Sequence, residues 1–313
     1  MSRQSTATLN YQLTAYAQGH MNDLSEAITL LDRIAPVVPV PGTTGQYKKF
    51  NDLNSFKVYN TRRAMGGDPV RVSFEATDGT FNCKPNALEI TVDSEERRQV
   101  GLDNSIGQQL LDEGKIKALL NVTAASEAVT ITTAIIAALT AASGVGNWSN
   151  TSIDPIDQLD QEIDTLSKAC GSAKDIYLDM DLSSWRAIRN HPKVKARVGS
   201  AQATPLTRQQ LVDSLVVPVN LMISAISYDA AALGQTASKT RVMAGKVLLY
   251  QGNQSPTQYD PSPFKRFVVG PGNQIASVRS YMSANGFYDG HIIDWSQDLV
   301  QTSTVSCTLI NVS

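Results

Sequence analysis

Helix-like and strand-like hydrophobic patterns alternate irregularly along this chain of 313 residues. The clearest helical pattern begins at Asp154, a good N-cap residue followed by Pro155 at the first helical position. Gly171 is placed to end that helix. Between the two ends, apolar residues follow at spacings of three and four: Ile156, Leu159, Ile163, Leu166 and Cys170. The pattern therefore predicts an amphipathic helix with one buried face.

A longer helical pattern extends from Asp103 to about Ala142. Its apolar positions are Ile106, Leu110, Ile116, Leu119, Leu120, Ala124, Ile131, Ile135 and Leu139. A helix of roughly 35 residues would be about 50 Å long, which exceeds what a small domain needs. We expect it to act as a spine on which the rest of the chain packs.

Between residues 56 and 92, hydrophobic and polar residues alternate, as in strands with one buried face. Turn signals separate the alternating runs at Met65–Pro69 and Thr77–Thr80. The pattern predicts a long two-stranded antiparallel excursion. Because an isolated hairpin is marginal in water, this one needs a partner surface.

Residues 1 to about 55 do not have the pattern of a compact domain. A helix is predicted within Tyr11–Leu31, with Asn22 or Ser25 as a cap and Ile28, Leu31 and Ile34 on one face. The following Pro36, Pro39 and Pro41 favour an extended path. Such a segment must lie along the rest of the chain or along a neighbour, and we expect its deletion (residues 1–45) to leave a folded core that forms no regular shells.

The second half of the chain mixes both patterns. A buried strand is predicted from Asp175 to Met180, then a short helix with Trp185 and Ile188 inward that Pro192 ends. A further helix capped by Thr207 carries Leu211 and Leu215, and β-rich runs are predicted at 216–227, 247–250, 264–269, 274–281 and 300–312. Irregular interleaving of helices and strands indicates an α+β fold.

Composition narrows the class of protein. Hydrophobic residues make up 42% of the chain, an ordinary share, and charged residues make up 18%, on the low side of the globular average, so most of the chain is expected to be folded. The net charge of −2 argues against a polyanion-binding protein as a whole. Cys83, Cys170 and Cys307 are far apart and indicate reduced, buried thiols rather than a metal or redox motif.

The sequence has no pattern that would direct the chain to a membrane. The first residues are not a secretory signal, and the most apolar run, 131–142, is too short to span a bilayer. We therefore expect a soluble protein that is made in a cytosol and bound to no membrane.

No residue pattern predicts catalytic, cofactor-binding or metal-binding residues, and no cofactor is expected. His20, His191 and His291 share no ligand spacing, and His291 is expected in a Gly-rich turn region. Asp179 and Asp181 would share one face of a strand, as in some metal sites, but we favour a solvated strand end. Lys193, Lys195 and Arg197 with His191 form a small basic cluster, for which a surface or rim role is favoured over a phosphate-facing one.

Several stretches in order resemble the major capsid proteins of tailed bacteriophages. Residues 153–173 (IDPIDQLDQEIDTLSKACGSA) lead to DIYLDM and SSWRAIRNHPKVKARVG, in which Trp185, Ile188, His191, Pro192 and Val194 stand at the positions of the family's Trp-x-x-Ile/Leu-x-x-His-Pro-x-Val stretch. TPLTRQQLVDSL, AGKVLLYQGNQ, YDGHIIDWSQDLV and the earlier ALEITVDSEERR are similar as well. The resemblance covers roughly residues 50 to 313 and rests on the order of the matches.

This resemblance implies the Hong Kong 97-type fold and a divided chain. The expected parts are an N-terminal arm (1–55), an extended loop (56–97), a peripheral domain with the spine helix (98–150), an axial domain (151–275) and a return to the peripheral domain (276–313). The namesake crosslinks a loop lysine to an asparagine of another subunit. Lys57 and Lys84 lie near or in the present loop, but no asparagine partner is identified and that chemistry is not carried over.

The implied function is a non-enzymatic shell protein of the virion, made in the bacterial cytoplasm. Pentamers and hexamers would form an icosahedral shell around double-stranded DNA, without sequence-specific binding, and scaffolding, portal or decoration proteins would be its other partners. Two alternatives stay open: an encapsulin-like nanocompartment that encloses protein cargo, and, more distantly, a soluble enzyme that uses carboxylates of the axial-like region.

Overall fold

A computed structural model describes residues 7–23, 26–50, 58, 60–71, 76–199, 206–232, 234–253, 257, 262–270 and 277–312. Both element types contribute, which confirms the α+β class. The helices in the described residues are α1 (Tyr11–Asp23), α2 (Glu26–Ile34), α3 (Ser94–Val100), α4 (Ser105–Ala138), α5 (Pro155–Cys170), α6 (Leu182–Asn190), α7 (Pro192–Gly199) and α8 (Arg208–Ser214). The strands are β1 (Thr8–Leu9), β2 (Val37–Val40), β3 (Thr44–Phe50), β4 (Ala76–Asn82), β5 (Lys84–Asp93), β6 (Ile176–Asp181), β7 (Asn220–Ser224), β8 (Ser227–Asp229), β9 (Lys239–Arg241), β10 (Lys246–Gln251), β11 (Phe264–Val269), β12 (Val278–Met282), β13 (Tyr288–Gln301) and β14 (Cys307–Asn311).

A six-stranded sheet is built around β13. Its order is β1-β12-β13-β11-β2, and β5 also pairs with β13. The expected turn region around His291 was wrong, because this residue is the fourth of the 14-residue strand β13. Gly290 and the interspersed acidic residues hide the strand in the sequence, although His291, Ile293 and Trp295 alternate on its buried face.

A second sheet has four strands in the order β14-β10-β6-β7. Its pairs are antiparallel except for the parallel pair β6–β7. Two pairings differ from the expected boundaries of the parts of the chain: β11 belongs to the six-stranded sheet, and the last strand, β14, returns to the four-stranded one. Which sheet β11 and β14 join depends on pairing with strands distant in the sequence. Hydrophobic alternation shows that a segment is a strand but does not identify its pairing partner.

The predicted spine is present as α4, a helix of 34 residues that joins the two sheets. Ile116, Leu119 and Leu120 in its first half pack with side chains of α1 and the six-stranded sheet. Ile131 and Ile135 in its second half pack against α2 and the four-stranded sheet. The helix is long and apolar enough to cross a membrane, but half of its most apolar stretch is buried inside the protein, as in the core helix of a globular protein.

The four-stranded sheet carries a helical layer on the face opposite α4. Helices α5 to α8 contribute to one core there, which includes Ile156, Trp185, Val194 and Leu211. The predicted ends of α5 are confirmed, since the Asp154 side chain accepts a hydrogen bond from the backbone of Ile156 and Gly171 is left-handed at φ 70°. Pro192 does end α6, but it also begins α7, where proline is favoured because its missing N–H is not needed.

The N-terminal segment is part of the compact body, which corrects the expectation that residues 1–55 stand apart. Leu30, Leu31 and Ile34 of α2 are buried against α4. The proline-rich stretch is extended, as predicted, and its β2 pairs in parallel with β11. The sequence left open whether this stretch lies along the rest of the chain or along a neighbouring copy. In the structure β2 lies along the chain's own body. The proposed cap Ser25 and the side chain of Asn22 lie outside the described residues.

The hairpin also begins earlier than predicted. It pairs β3 with β4, from Thr44 opposite Asn82 to Phe50 opposite Ala76. The run at 88–92 is not in the hairpin, because β5 pairs along β13 with Leu88 opposite Ile293. The other predicted alternating positions, Phe56, Val72 and Phe74, lie outside the described residues.

Candidate surfaces for self-association

The base of the hairpin is fixed to the body of the protein by aromatic packing. Phe81 stacks on Phe267 of β11 with 4.6 Å between ring centroids. Phe81 also lies over Gly45, and Tyr47 over Gly79, their partners directly across the hairpin. A Cβ atom at either glycine would come within 2.6 or 2.5 Å of the facing ring, so only glycine permits this close packing. The base of the loop is therefore rigidly oriented.

Beyond this base, the described part of the loop is open to solvent. Nearly all of residues 60–71 are exposed, and so is residue 58. Three apolar side chains are among them, Val58, Met65 and Val70, and the first two are fully exposed. Exposed apolar side chains on an excursion without its own core indicate a contact surface.

A second exposed apolar surface lies at the start of the spine. Leu102, Ile106 and Leu110 follow at intervals of four residues, and between 61% and 72% of each is exposed. The sequence pattern placed Ile106 and Leu110 on the inward face, which was wrong for the first two turns of α4. The buried face of the helix begins further along, at Ile116.

A buried ion pair joins α2 to the four-stranded sheet. Arg33 donates to Asp179 of β6 at 2.8 Å, and the hydroxyl of Tyr250 donates to the same carboxylate at 2.6 Å. Asp179 and Asp181 are both buried, at 0% and 1% exposed, so the expected solvated strand end was wrong for both residues. The other aspartate of the pair, Asp181, caps α6 by accepting a hydrogen bond from the backbone of Ser183. Neither carboxylate is free to act as a metal ligand.

Burial has the largest effect on the pKa values of Asp179 and Tyr250. It raises the pKa of Asp179, while the Arg33 charge and the Tyr250 hydroxyl act in the opposite direction. Burial and the Asp179 carboxylate also raise the pKa of Tyr250 far above its ordinary value. The Arg33 guanidinium additionally lies over the ring of Tyr177, 4.8 Å from its centroid. The arrangement anchors the N-terminal segment to the sheet rather than preparing a reactive group.

A second buried network crosses the middle of the molecule. Arg266 of β11 is almost fully buried, forms an ion pair with Asp32 and donates to the carbonyl of Ala35 at 2.7 Å. Glu127 of α4 accepts a hydrogen bond from Gln297 of β13. Burial lowers the pKa of Arg266 and raises that of Glu127. The network fixes α2, α4 and the six-stranded sheet relative to one another.

Polar contacts also fix the start of the spine. Arg97 of α3 donates to Asp112 of α4 at 2.9 Å and to Asp289 of β13 at 2.7 Å. His291 lies 3.5 Å from Asp112 through Nε2 and 2.9 Å from the Ser280 hydroxyl through Nδ1. Burial alone would raise the pKa of Asp112, but the neighbouring His291 ring and the Arg97 guanidinium lower it.

The other histidines are placed separately. His20 stacks on Tyr16 near the end of α1, and His191 caps the end of α6 with Nε2 at 3.3 Å from the Asn150 carbonyl. Within the residues that the structure describes, no group of three His, Cys, Asp or Glu side chains could hold a metal ion. Cys83, Cys170 and Cys307 form no disulfide with one another; Cys83 is buried, and Cys170 and Cys307 are partly buried.

The basic cluster after α6 is partly paired within the chain. Lys193 donates to the carbonyl of Ser152, and Arg197 lies 3.4 Å from Asp154 and 3.9 Å from Asp160. This agrees with the favoured surface role. A groove of about 450 Å³ lies nearby between α2 and β7, and its Glu26 and Arg33 are engaged with Ala225 and Asp179.

No family model matches the sequence, and no curated protein matches it significantly. Solved structures do match. The chain is similar to a phage-related protein from Bordetella bronchiseptica RB50, with 17% identity, a TM-score of 0.70 and 98% of each chain covered.

Two further structures are similar. One is assigned as the capsid protein of an Escherichia coli CFT073 prophage, with 11% identity, a TM-score of 0.55 and coverage of 99% of this chain and 100% of that one. The other is the SrpI encapsulin from Synechococcus elongatus PCC 7942, with 10% identity, a TM-score of 0.52 and coverage of 93% and 88%. These likenesses confirm the predicted Hong Kong 97-type fold.

Proposed function

We propose that this chain is the major capsid protein of a tailed bacteriophage. It is a structural protein of the virion, synthesised in the bacterial cytoplasm, whose copies assemble into pentamers and hexamers. These form an icosahedral shell that encloses double-stranded DNA without reading its sequence. Scaffolding, portal or decoration proteins are further partners of such a shell.

The observation that carries the proposal is the contrast between the two halves of the loop. Its base is locked onto the body by Phe81, Tyr47 and Phe267, whereas residues 60–71 present apolar side chains to solvent. A loop whose base is fixed on the body and whose outer part is exposed to solvent is suited to covering a neighbouring copy. In a closed shell each copy has several neighbours, so many modest contacts combine into a stable assembly.

The likeness to a prophage capsid protein and to a phage-related protein supports the same function. We keep the division of the chain into an arm, an extended loop, a peripheral domain and an axial domain as part of the proposal. Residues 7–40 are then an arm that is anchored on its own subunit. The peripheral domain centres on β13 and α4, and the axial domain on the four-stranded sheet with α5 to α8.

Electron microscopy of the purified, overexpressed protein tests the proposal. Uniform closed shells or five- and six-membered rings are the expected result. A protein that stays monomeric at every concentration up to the millimolar range would contradict it and would favour the distant alternative of a soluble enzyme.

The likeness to an encapsulin supports one alternative, a nanocompartment that encloses protein cargo. The two functions differ in what the particles contain. Nuclease-protected double-stranded DNA in particles purified from lysed, phage-producing cells is expected for a capsid. Particles that contain a defined protein and no protected DNA would favour the nanocompartment.

A further inference from the structure

Charged residues are segregated along the part of the sequence that forms α5 to α8. Residues 186–208 contain six Lys and Arg residues and no carboxylate: Arg186, Arg189, Lys193, Lys195, Arg197 and Arg208. Residues 118–167 contain no Lys or Arg, and five carboxylates lie close together there: Asp154, Asp157, Asp160, Glu162 and Asp164. A protein with a net charge of only −2 therefore concentrates opposite charges in two neighbouring segments.

The fold places helices α5 and α6 at opposite sides of one layer, and Lys193 and Arg197 of α7 contact the start and first turns of the acidic segment. Helix α5 packs over β10 and β14, whereas α6 packs over β6 and β7 and α8 over β7. Because the strand order is β14-β10-β6-β7, the acidic helix α5 covers one edge of the sheet, and α6 with Arg186 and Arg189 lies towards the other edge. The layer is thus electrically polarised across its width.

Only part of this charge is used within the chain. At the boundary between the two sides, Arg197 of α7 pairs with Asp154 and Asp160. At the outer positions Asp157 is exposed and accepts a hydrogen bond from the neutral Gln161, and Asp164 pairs with the solvent-exposed Lys168 of the next turn. On the basic side, Arg186 and Arg189 lie three residues apart on α6, and no carboxylate of the described residues pairs with either.

We propose that the acidic α5 side of one copy binds the basic α6 side of the next copy, head to tail, around the ring of a capsomer. The inference rests on the proposed function, since it names the contact that would build the rings. Two different complementary surfaces on one chain make a heterologous contact, which closes into a ring when the rotation is suitable. Complementary charges fix the order and orientation of neighbours and exclude like-with-like contacts.

A nucleic acid backbone is the other occupant to consider for the basic side. It would account for Arg186 and Arg189 but not for the acidic α5 at the other edge of the same layer. A neighbouring copy accounts for both sides at once, and we therefore favour it.

Charge reversal provides the test. One variant carries Arg186→Glu and Arg189→Glu, a second carries Asp157→Lys and Asp164→Lys, and a third combines all four changes. Each two-residue variant places like charges across the contact and is expected to raise the protein concentration at which shells or rings form by about tenfold or more. The combined variant restores opposite charges with reversed polarity, and its assembly concentration is expected to return to within about threefold of the unmodified protein.

A matched control reverses two exposed lysines outside the helical layer, Lys174→Glu and Lys239→Glu, and is expected to leave assembly unchanged. Circular dichroism verifies that each variant is folded, and the neutral substitutions Arg186→Gln, Arg189→Gln, Asp157→Asn and Asp164→Asn, made pairwise, replace any reversal that is not. The neutral pairs are expected to shift assembly in the same direction by a smaller factor.

The outcomes separate the competing ideas. Normal assembly of either reversed or neutral pair, or a combined variant no better than the worse pair, would overturn the head-to-tail contact. Normal shells with less bound nucleic acid in the Arg186→Glu, Arg189→Glu variant would assign the basic side to nucleic acid instead. If the unmodified protein forms no rings or shells, the proposed function itself fails, and the head-to-tail contact fails with it.

Discussion

At the scale of single residues, the most consequential contact is the buried pair Arg33–Asp179. A buried carboxylate left without its cation carries its full desolvation cost. Arg33→Met is therefore expected to reduce the free energy of unfolding by about 3 kcal/mol. Chemical denaturation of the purified protein measures this loss.

The matched control adds Asp179→Asn to Arg33→Met. The asparagine carries no charge and still accepts the hydrogen bond from Tyr250, so most of the lost stability is expected to return. A double variant as unstable as Arg33→Met alone would show that the arginine acts through packing on Tyr177 rather than through the charge pair.

The ionisation of Glu127 is expected to make the free energy of unfolding depend on pH. Its pKa is raised by burial, against the opposing effects of Gln297 and of the Arg266 charge. A carboxyl group with a raised pKa in the folded state binds a proton more readily there than in the unfolded state. Its contribution to stability is therefore highest below its unfolded pKa of about 4.3 and is lost as the pH rises through the folded value.

Glu127→Gln resembles the protonated form and lacks this loss. We expect its melting temperature to exceed that of the unmodified protein at pH 7, and the difference to shrink towards about pH 4. Calorimetry at a series of pH values measures both. A difference that does not vary with pH would contradict the assignment.

At the scale of elements, the cap of α5 combines two interactions that can be separated. Asp154 accepts the backbone hydrogen bond of Ile156 and also lies 3.4 Å from Arg197. Asp154→Ala removes both and is expected to cost about 1 kcal/mol. Asp154→Asn keeps the cap and loses only a surface ion pair, so a cost of a few tenths of a kcal/mol is expected in thermal unfolding. Equal costs for the two substitutions would contradict capping as the main role.

Elements with strong local signals could be predicted from the sequence. The ends of α5, the cap of α8 at Thr207 and the length of α4 all follow from caps, glycine and helical periodicity. Strand β13 could not be predicted in this way, because its pairing with β5, β11 and β12 is long-range. The need for glycine at position 146 could not be predicted either. Gly146 has a φ of 99° and lies close to the carbonyl of Asn311, which belongs to a strand more than 150 residues away.

The interior polar groups were the least predictable part of the candidate surfaces. Asp179 was expected at a solvated strand end because its partly buried partner, Arg33, lies 146 residues earlier in the chain. For the same reason the sequence did not reveal that Asp32 and Arg266 form a pair. A charged residue in a buried strand is the only local sign of such a pairing, and it does not identify the partner.

At the scale of the whole molecule, the anchoring of residues 26–40 changes what a deletion of residues 1–45 is expected to do. The deletion removes Leu30, Leu31 and Ile34 from the core, the partner of Asp179 and the strand that pairs with β11. The truncated chain is therefore expected to aggregate rather than to remain a folded core, so it is not a clean test of assembly.

The exposed tip of the loop gives a cleaner test. Residues 60–71 contribute no buried side chain, so replacing them with a flexible Gly-Ser segment of equal length should change the melting temperature by no more than about 2 °C. The base of the loop, held by Phe81 on Phe267, is retained. If the tip covers a neighbouring copy, the variant is expected to remain folded but to form no closed shells in electron microscopy.

A matched variant, Met65→Ser with Val70→Ser, removes only the apolar side chains at these two positions. It is expected to raise the protein concentration needed for assembly without abolishing assembly. Closed shells of normal yield from the Gly-Ser variant would show that the loop does not join copies, and would leave the exposed spine surface of Leu102, Ile106 and Leu110 and the charged sides of α5 and α6 as the candidate contacts.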